Sequence, residues 1–172
     1  YGPPGTGKTY AVRNSLKYLC QGDNSRYEIV QFHPSFTYED FIEGIKPKGV
    51  TKDGNIKFEL VDGVFKKFCK RAKEECEKAK AEKREPNDYY FIVDEINRAN
   101  LSSVFGETLS LHEKGYRHNG LDGTNLMKTQ YSGLIEDLIK DDPESKSLAY
   151  HLEDSQVYFG VPENVYFIGM MN

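Results

Sequence analysis

The sequence predicts an α/β fold with a parallel sheet, and three observations lead to this prediction. Residues 27–32, 89–93 and 165–170 form short apolar runs with the β-branched and aromatic character of buried strands. Apolar residues recur at helical spacing in segments that precede or connect these runs. A glycine-rich loop lies directly before the first helical segment, at residues 2–9. Buried strands with helical connections are typical of parallel sheets.

The glycine-rich loop reads GPPGTGKT and fits the phosphate-loop pattern G-x-x-x-x-G-K-[ST] at every fixed position. In such a loop, successive backbone N–H groups face inward and form an anion nest at the positive end of a helix. We therefore expect a nucleoside triphosphate as ligand. Lys8 supplies positive charge to the terminal phosphates, and the Thr9 hydroxyl is placed to bind the Mg²⁺ that accompanies them.

A pair of acidic residues, Asp94 and Glu95, follows the apolar run at 89–93. Such a pair alone is typical of a protein surface, but a buried strand before it and a phosphate loop upstream indicate a site. Asp94 can help to hold Mg²⁺, and Glu95 can polarise the water that attacks the γ-phosphate. The predicted nucleotide-binding residues are Gly2, Pro3, Pro4, Gly5, Thr6, Gly7, Lys8, Thr9, Tyr10 and Asp94, with Thr9 and Asp94 as metal ligands.

Two further polar residues bear on this chemistry. Asn172 follows the strand at 165–170, at the sheet edge where α/β ligand sites gather, and its amide can orient the attacking water or contact the γ-phosphate. The predicted catalytic residues are thus Glu95, Lys8 and Asn172. Arg98 either pairs with a nearby acid or reaches the nucleotide of a neighbouring subunit, and the sequence leaves both roles open.

Composition excludes several other classes of function. The chain has 172 residues, of which 38% are hydrophobic and 29% charged, and its net charge of -4 gives no whole-chain case for binding nucleic acid. DNA contact would therefore need a local basic patch or another domain, and we expect it through other domains. The 3 cysteines lack C-x-x-C spacing and the 4 histidines lack metal-ligand spacing, so neither a zinc site nor a disulfide framework is expected. No apolar run has the length of a membrane span.

Local patterns predict the other elements. Thr37 is a candidate N-cap with Asp40 at the capping-box position, and 52–55 (KDGN) marks a tight turn. Helices are expected at residues 8 to about 20, 37–42, 63 to about 85 and 134–139, a hairpin at 50–61 and an irregular insertion at about 115–155.

These motifs together resemble a known family. The phosphate loop, the Asp94–Glu95 pair and the strand ending in Asn172 look like Walker A, Walker B and sensor 1 of AAA+ nucleotide hydrolases, in that order. More specifically, residues 30–44, 94–101 and 164–172 resemble the B subunit of 5-methylcytosine-specific restriction systems, a branch of the dynein-related AAA group. The resemblance spans nearly the whole chain, with residues 115–152 as the exception.

The resemblance implies a three-layer P-loop sandwich whose sheet has the strand order 5-1-4-3-2. This chain would supply strands 2, 3 and 4, so residues 1–172 are expected to be a fragment without strands 1 and 5 and the helical lid. It also implies a prokaryotic, cytoplasmic, ring-forming homo-oligomer, usually hexameric, that hydrolyses ATP or GTP with Mg²⁺, moves on DNA and activates a separate nuclease subunit.

Two alternatives stay open from the residues alone: a superfamily-one helicase core, and a nucleotide-dependent assembly scaffold that does not hydrolyse its ligand. Residues 94–101 and the strand ending in Asn172 favour the AAA+ motor over the helicase. The intact Lys8, Thr9 and Glu95 argue against the scaffold.

Overall fold

The computed structural model describes residues 7–171. Within them the chain forms, in order, α1 (Lys8–Leu19), β1 (Tyr27–Gln31), α2 (Tyr38–Phe41), β2 (Glu43–Val50), β3 (Ile56–Asp62), α3 (Val64–Ala81), β4 (Tyr89–Asp94), α4 (Leu101–Phe105), α5 (Ser132–Asp141), β5 (His151–Glu153), β6 (Gln156–Tyr158) and β7 (Val165–Gly169). Short 3-10 helices occupy Asn24–Arg26, Ile96–Arg98, Gly106–His112, Lys114–Tyr116 and Pro143–Leu148.

The main sheet has three parallel strands within the described residues, with β4 between β1 and β7. Ile92 of β4 pairs with Ile29 of β1 on one side and with Ile168 of β7 on the other. The predicted parallel sheet is confirmed, and its order agrees with strands 2, 3 and 4 of the expected family arrangement. The carboxyl ends of all three strands therefore meet at one edge.

Helices cover the two faces of this sheet, which confirms the three-layer sandwich. On one face, Phe65 and Phe68 of α3 lie 4.8 and 5.2 Å from Phe91 of β4 between ring centroids. On the other face, Leu16 of α1 packs against Ile92. The α3 stripe behaves as its spacing predicts, because these apolar positions are all buried: Phe65, Phe68, Cys69, Ala72, Cys76 and Ala79.

Strand β7 departs from the prediction that its continuous apolar run, at 165–170, is a strand covered on both faces. Tyr166 and Ile168 are 49% and 40% exposed, whereas Ile92 at the centre of the sheet is fully buried. The reason is the position of α1, which packs against Ile29 and Ile92 of the other two strands. The α3 face of β7 is covered, since Phe167 packs 5.8 Å from Phe91.

The end of α3 and the start of the β2–β3 hairpin also differ from the sequence prediction. Helix α3 stops at Ala81 rather than near residue 85, because Lys83 adopts a left-handed backbone with φ 54°. The hairpin of β2 and β3 begins at Glu43, well before residue 50, and has a register shift between Pro47 and Gly49. Proline and glycine are usually strand breakers, so this part of β2 lacks a strand signal in the sequence.

Buried charges join the hairpin to the rest of the domain. The Lys66 ammonium of α3 donates to the carboxylate of Glu43 and lies 3.1 Å from an oxygen of Asp62. The Glu43 carboxylate also accepts a hydrogen bond from Thr129, ahead of α5. Lys66 and Glu43 are 2% and 0% exposed, so we treat Lys66, Glu43, Asp62 and Thr129 as one buried ion cluster.

The region predicted as irregular, about 115–155, contains regular elements. The helical pattern at 134–139 belongs to α5, and β5 and β6 pair in a short antiparallel hairpin that the sequence analysis missed. Ile135 of α5, Leu60 of β3 and Val157 of β6 form a small core of their own. A capping box at Thr37 and Asp40 begins α2 as predicted.

The environment of the cysteines and the character of the helices agree with what the composition indicates. All three cysteines are buried with free thiols, and burial raises the pKa of Cys76 to about 11, so these side chains act as small apolar groups. Among residues 7–171, no helix combines the length and apolar character that crossing a bilayer requires.

Candidate functional site

The start of α1 lies at the carboxyl edge of the sheet, where the sequence predicts the phosphates. Gly7 precedes the helix in a left-handed conformation, with φ 72°, that glycine adopts without strain. Among the described residues, no side chain caps this helix, and no acidic residue lies in its first turn. The helix dipole favours negative charge at this end.

A hydrogen bond joins this helix to the end of the central strand. The Thr9 hydroxyl donates to Oδ2 of Asp94 over 2.6 Å, although the two residues are 85 positions apart in the sequence. Two hard oxygen donors thus converge from the two predicted motifs. Mg²⁺ prefers such ligands and takes few of them from the protein, because water and phosphate oxygens complete its octahedron. The oxygens of Thr9 and Asp94 fit that role.

The second acid, Glu95, is held in an unusual backbone conformation beside Asp94. Its φ of 54° and ψ of 42° lie in the left-handed region, which non-glycine residues adopt mainly where the surroundings hold them there. The Glu95 backbone N–H donates to Oδ1 of Asp94 over 3.0 Å. This turn directs the Glu95 side chain toward the neighbouring strand end.

The Glu95 carboxylate contacts side chains of β1 and of the 3-10 helix that follows β4. Gln31 Nε2 at the end of β1 donates to Oε2 over 2.7 Å, and Arg98 Nη2 lies 3.0 Å from Oε1. Of the two roles considered for Arg98, the structure shows local pairing with an acid. Sequence reasoning missed Gln31, although its place as the last residue of β1, at the edge where the site lies, was a usable signal.

The other predicted residues are placed as follows. Lys8 is the first residue of α1 and is partly exposed, while Tyr10 is 73% exposed. Gly2, Pro3, Pro4, Gly5, Thr6 and Asn172 lie outside the described residues. The backbone that leads to Asn172 is held at the site edge, because Met170 donates to the Val93 carbonyl over 2.7 Å and accepts from Ile96 over 3.0 Å.

Histidines and cysteines form no rival metal site in the described part of the chain, where no three His, Cys, Asp or Glu side chains cluster for a metal. His118 is buried, with one ring nitrogen facing the Tyr150 hydroxyl and the other the Asp122 carbonyl. Burial lowers the pKa of His112 to about 3, so this side chain is neutral. Both histidines serve the core.

Comparison with known proteins identifies the family of this chain. The model of the AAA domain, dynein-related subfamily, matches residues 1–172, the whole chain. The chain belongs to this family. The fold is that of a P-loop AAA domain, as the sequence motifs predicted.

This AAA domain is also similar to subunits of two bacterial restriction enzymes. It is 42% identical, over 99% of its length, to the Type IV methyl-directed restriction enzyme EcoKMcrB subunit of Escherichia coli K12. It is 29% identical, over 66% of its length, to the Type II restriction enzyme BsuMI component YdiS of Bacillus subtilis 168. The matches cover 29% and 36% of those two proteins, so the AAA domain spans only part of the length of either.

Proposed function

We propose that this AAA domain binds and hydrolyses a nucleoside triphosphate, ATP or GTP, with Mg²⁺. The observation that carries the proposal is the 2.6 Å hydrogen bond between Thr9 and Asp94, which brings the phosphate loop and the end of β4 to one point. A scaffold that only bound nucleotide would not need Glu95 beside that point. The presence of both acids favours hydrolysis.

Binding is assigned to the loop and the start of α1. The residues that would form the phosphate nest are Gly2, Pro3, Pro4, Gly5, Thr6, Gly7, Lys8, Thr9 and Tyr10. Lys8 would contribute a positive charge to the terminal phosphates, and the α1 N-terminus would contribute backbone N–H groups. Thr9 and Asp94 would hold Mg²⁺, which when bound offsets phosphate charge.

Catalysis is assigned to the acid that follows. The Glu95 carboxylate would accept a proton from the attacking water as the new bond to the γ-phosphorus forms and the bond to the leaving oxygen breaks. Gln31 and Arg98 orient that carboxylate through its two oxygens. Asn172 would orient the same water from the end of the neighbouring strand.

We also propose a cellular setting from the similarity to restriction-enzyme subunits. The domain would serve as the motor module of a homo-oligomeric, hexameric ring in the cytoplasm of a prokaryote. A separate nuclease subunit would be its partner, and DNA would be bound through other domains. The net charge of -4 agrees with a motor module that does not itself bind DNA.

Matched variants of the full-length protein test the hydrolytic site. Glu95→Gln should retain nucleotide binding and lower Mg²⁺-dependent phosphate release by about 10²-fold or more, since the general base is lost. Lys8→Ala should lose nucleotide binding. Glu74→Gln makes the same chemical change at an exposed position of α3 and should leave the rate unchanged.

Phosphate release should be measured with ATP and GTP in parallel, and light scattering with nucleotide should report ring assembly. Hydrolysis by Glu95→Gln at the wild-type rate would show that another group is the base. Nucleotide-driven assembly without release of phosphate from either nucleotide would favour the scaffold over the motor.

A further inference from the structure

An open groove lies between the β2–β3 hairpin and α5, on elements that contribute no residue to the nucleotide site. Its volume is about 650 Å³, which is within the range of ligand-binding pockets. The apolar side chains that line it are Ile45, Phe58, Leu60, Leu134, Leu138 and Leu148. We refer to it as the α5 groove.

Large apolar side chains stand at the mouth of the α5 groove. Phe58, Ile45 and Leu134 are 59%, 48% and 39% exposed, respectively. Leu60, Leu138 and Leu148 belong to the small core around Ile135, so the floor is anchored to packed structure. An apolar surface on a fixed floor is suited to receive apolar side chains from a partner.

The rim of the groove is acidic. Asp141, Asp142 and Glu144 line it, and none of the three forms a salt bridge within the described residues. The rim residues Lys57 and Glu59 pair with each other at 2.8 Å, so they add little net charge. The three remaining carboxylates leave the groove negative.

The helix adds to this negative potential. Asp141 is the last residue of α5 and Asp142 is its C-cap, where the helix dipole is also negative. Asp142 has a local role, since its Oδ1 accepts a hydrogen bond from the Glu144 backbone. Asp141 has no such bond among the described residues. A cationic group at this end of α5 would offset both the carboxylates and the dipole.

We propose that the α5 groove binds a basic amphipathic segment of a partner protein, with apolar side chains in the groove and Lys or Arg on the acidic rim. An amphipathic helix is the usual occupant of such a groove. Nucleic acid and anionic lipid surfaces are disfavoured because their phosphates would meet the carboxylates of Asp141, Asp142 and Glu144. The proposal shares no residue with the nucleotide site and does not depend on hydrolysis.

A designed peptide probes this surface in the full-length protein. The probe is a fluorescein-labelled helix of about 15 residues, long enough to be helical, with leucines on one face and lysines on the other. A second peptide carries glutamate in place of lysine. Fluorescence anisotropy should show binding of the leucine–lysine peptide, weakening as salt rises, and at least about tenfold weaker binding of the leucine–glutamate peptide.

Two substitutions on one strand face provide the matched test. Phe58→Asp should weaken binding of the leucine–lysine peptide by about tenfold, because Phe58 lines the groove. Ile56→Asp should bind as the wild type does, because Ile56 is equally exposed, at 59%, but does not line the groove. Leu134→Gln should repeat the loss from α5, and thermal unfolding should confirm that each variant is folded.

Equal binding by Phe58→Asp and Ile56→Asp, or equal affinity for the two peptides, would overturn the proposal. Sedimentation of the wild type and Phe58→Asp tests a second copy of this chain as the occupant. Self-association that Phe58→Asp abolishes, without peptide binding by the wild-type monomer, would also overturn it. A nucleotide-hydrolysis defect in Glu95→Gln would leave all of these results unaffected.

Discussion

Two groups of charged and polar side chains, the buried ion cluster and the contacts of Glu95 at the sheet edge, differ in how exposed their members are to water. In the buried ion cluster, Lys66 and Glu43 are 2% and 0% exposed. At the sheet edge, Glu95 is 13% exposed and its partner Arg98 is 56% exposed. Water can replace the exposed Arg98 at little cost, whereas loss of Lys66 leaves the charge of Glu43 buried and uncompensated.

The difference indicates what each cluster does. The ion cluster fixes the hairpin, α3 and the segment before α5 relative to one another, since its members come from all three. The contacts of Glu95 hold its carboxylate in place while leaving part of it open to water. Side-chain contacts that must change during a reaction are better suited to a partly exposed site, such as that of Glu95, than to a buried one.

Removal of the central cation should produce the largest effect on stability. Lys66→Met should lower the free energy of unfolding by about 3–5 kcal/mol, because the fully buried Glu43 then loses its cation. Lys67→Met, at the exposed neighbouring position, should change it by no more than about 0.5 kcal/mol. Denaturant titration measures both, and equal losses in the two variants would mean that the cluster is not what fixes the hairpin.

The buried His112 side chain should have the next largest effect on stability, and this effect should depend on pH. Both ring nitrogens of His112 are buried without a partner among the described residues, and the ring packs 4.6 Å from Phe105 and 5.0 Å from Phe65. Burial lowers the pKa of His112 to about 3, whereas the pKa of a histidine in the unfolded chain is near its ordinary value of 6.5. The neutral form is therefore the one that the folded domain accommodates.

The sign of the pH effect follows from this lowered pKa. Above pH 6.5 the histidine is neutral in both states, and its contribution to stability is fully present. As the pH falls, the unfolded state takes up the proton first, so the free energy of unfolding decreases by about 2 kcal/mol at pH 5 and further toward pH 3. His112→Phe should flatten this part of the stability profile.

His33→Gln, at an exposed position, is the matched control and should keep the wild-type slope between pH 6.5 and 4. Urea unfolding at a series of pH values measures the profile. If His112→Phe shows the same acid sensitivity as the wild type, the loss of stability comes from other groups.

The sequence could predict the features that depend on local patterns. The capping box of Thr37 and Asp40 and the apolar stripe of α3 are local patterns, and the structure confirms both. Roles could be predicted for Asp94 and Glu95 because they follow a predicted buried strand in a chain that also contains a phosphate loop. The strand order came only from the family resemblance, because periodicity in a sequence does not specify which strands are neighbours.

Long-range polar contacts outside the recognised motifs could not be predicted. Lys66 resembles the other lysines of a charged helix, and its partner Glu43 is 23 positions away. Thr129, the next member of the ion cluster, is 86 positions from Glu43. Gln31 is 64 positions from Glu95 and lies in a run of strand residues. In each case the partner is set by how the elements pack, and a single sequence carries no pattern for that.

The smallest predicted effect concerns the contacts of Glu95. Gln31→Leu should leave the free energy of unfolding within about 0.5 kcal/mol of the wild type, because Gln31 is exposed at the end of β1. It should lower kcat for nucleotide hydrolysis by about two- to fivefold, since Gln31 then no longer holds Oε2 of Glu95 in place.

Arg13→Leu, an exposed substitution on α1, is the control for general effects on the domain, and steady-state phosphate release separates kcat from KM. A change in KM alone would mean that Gln31 acts on nucleotide binding and not through Glu95. The combination Gln31→Leu with Glu95→Gln decides the point, because a residue that acts only through the Glu95 carboxylate has no effect once that carboxylate is gone. A further change in kcat in the double variant would place Gln31 in contact with the reacting groups.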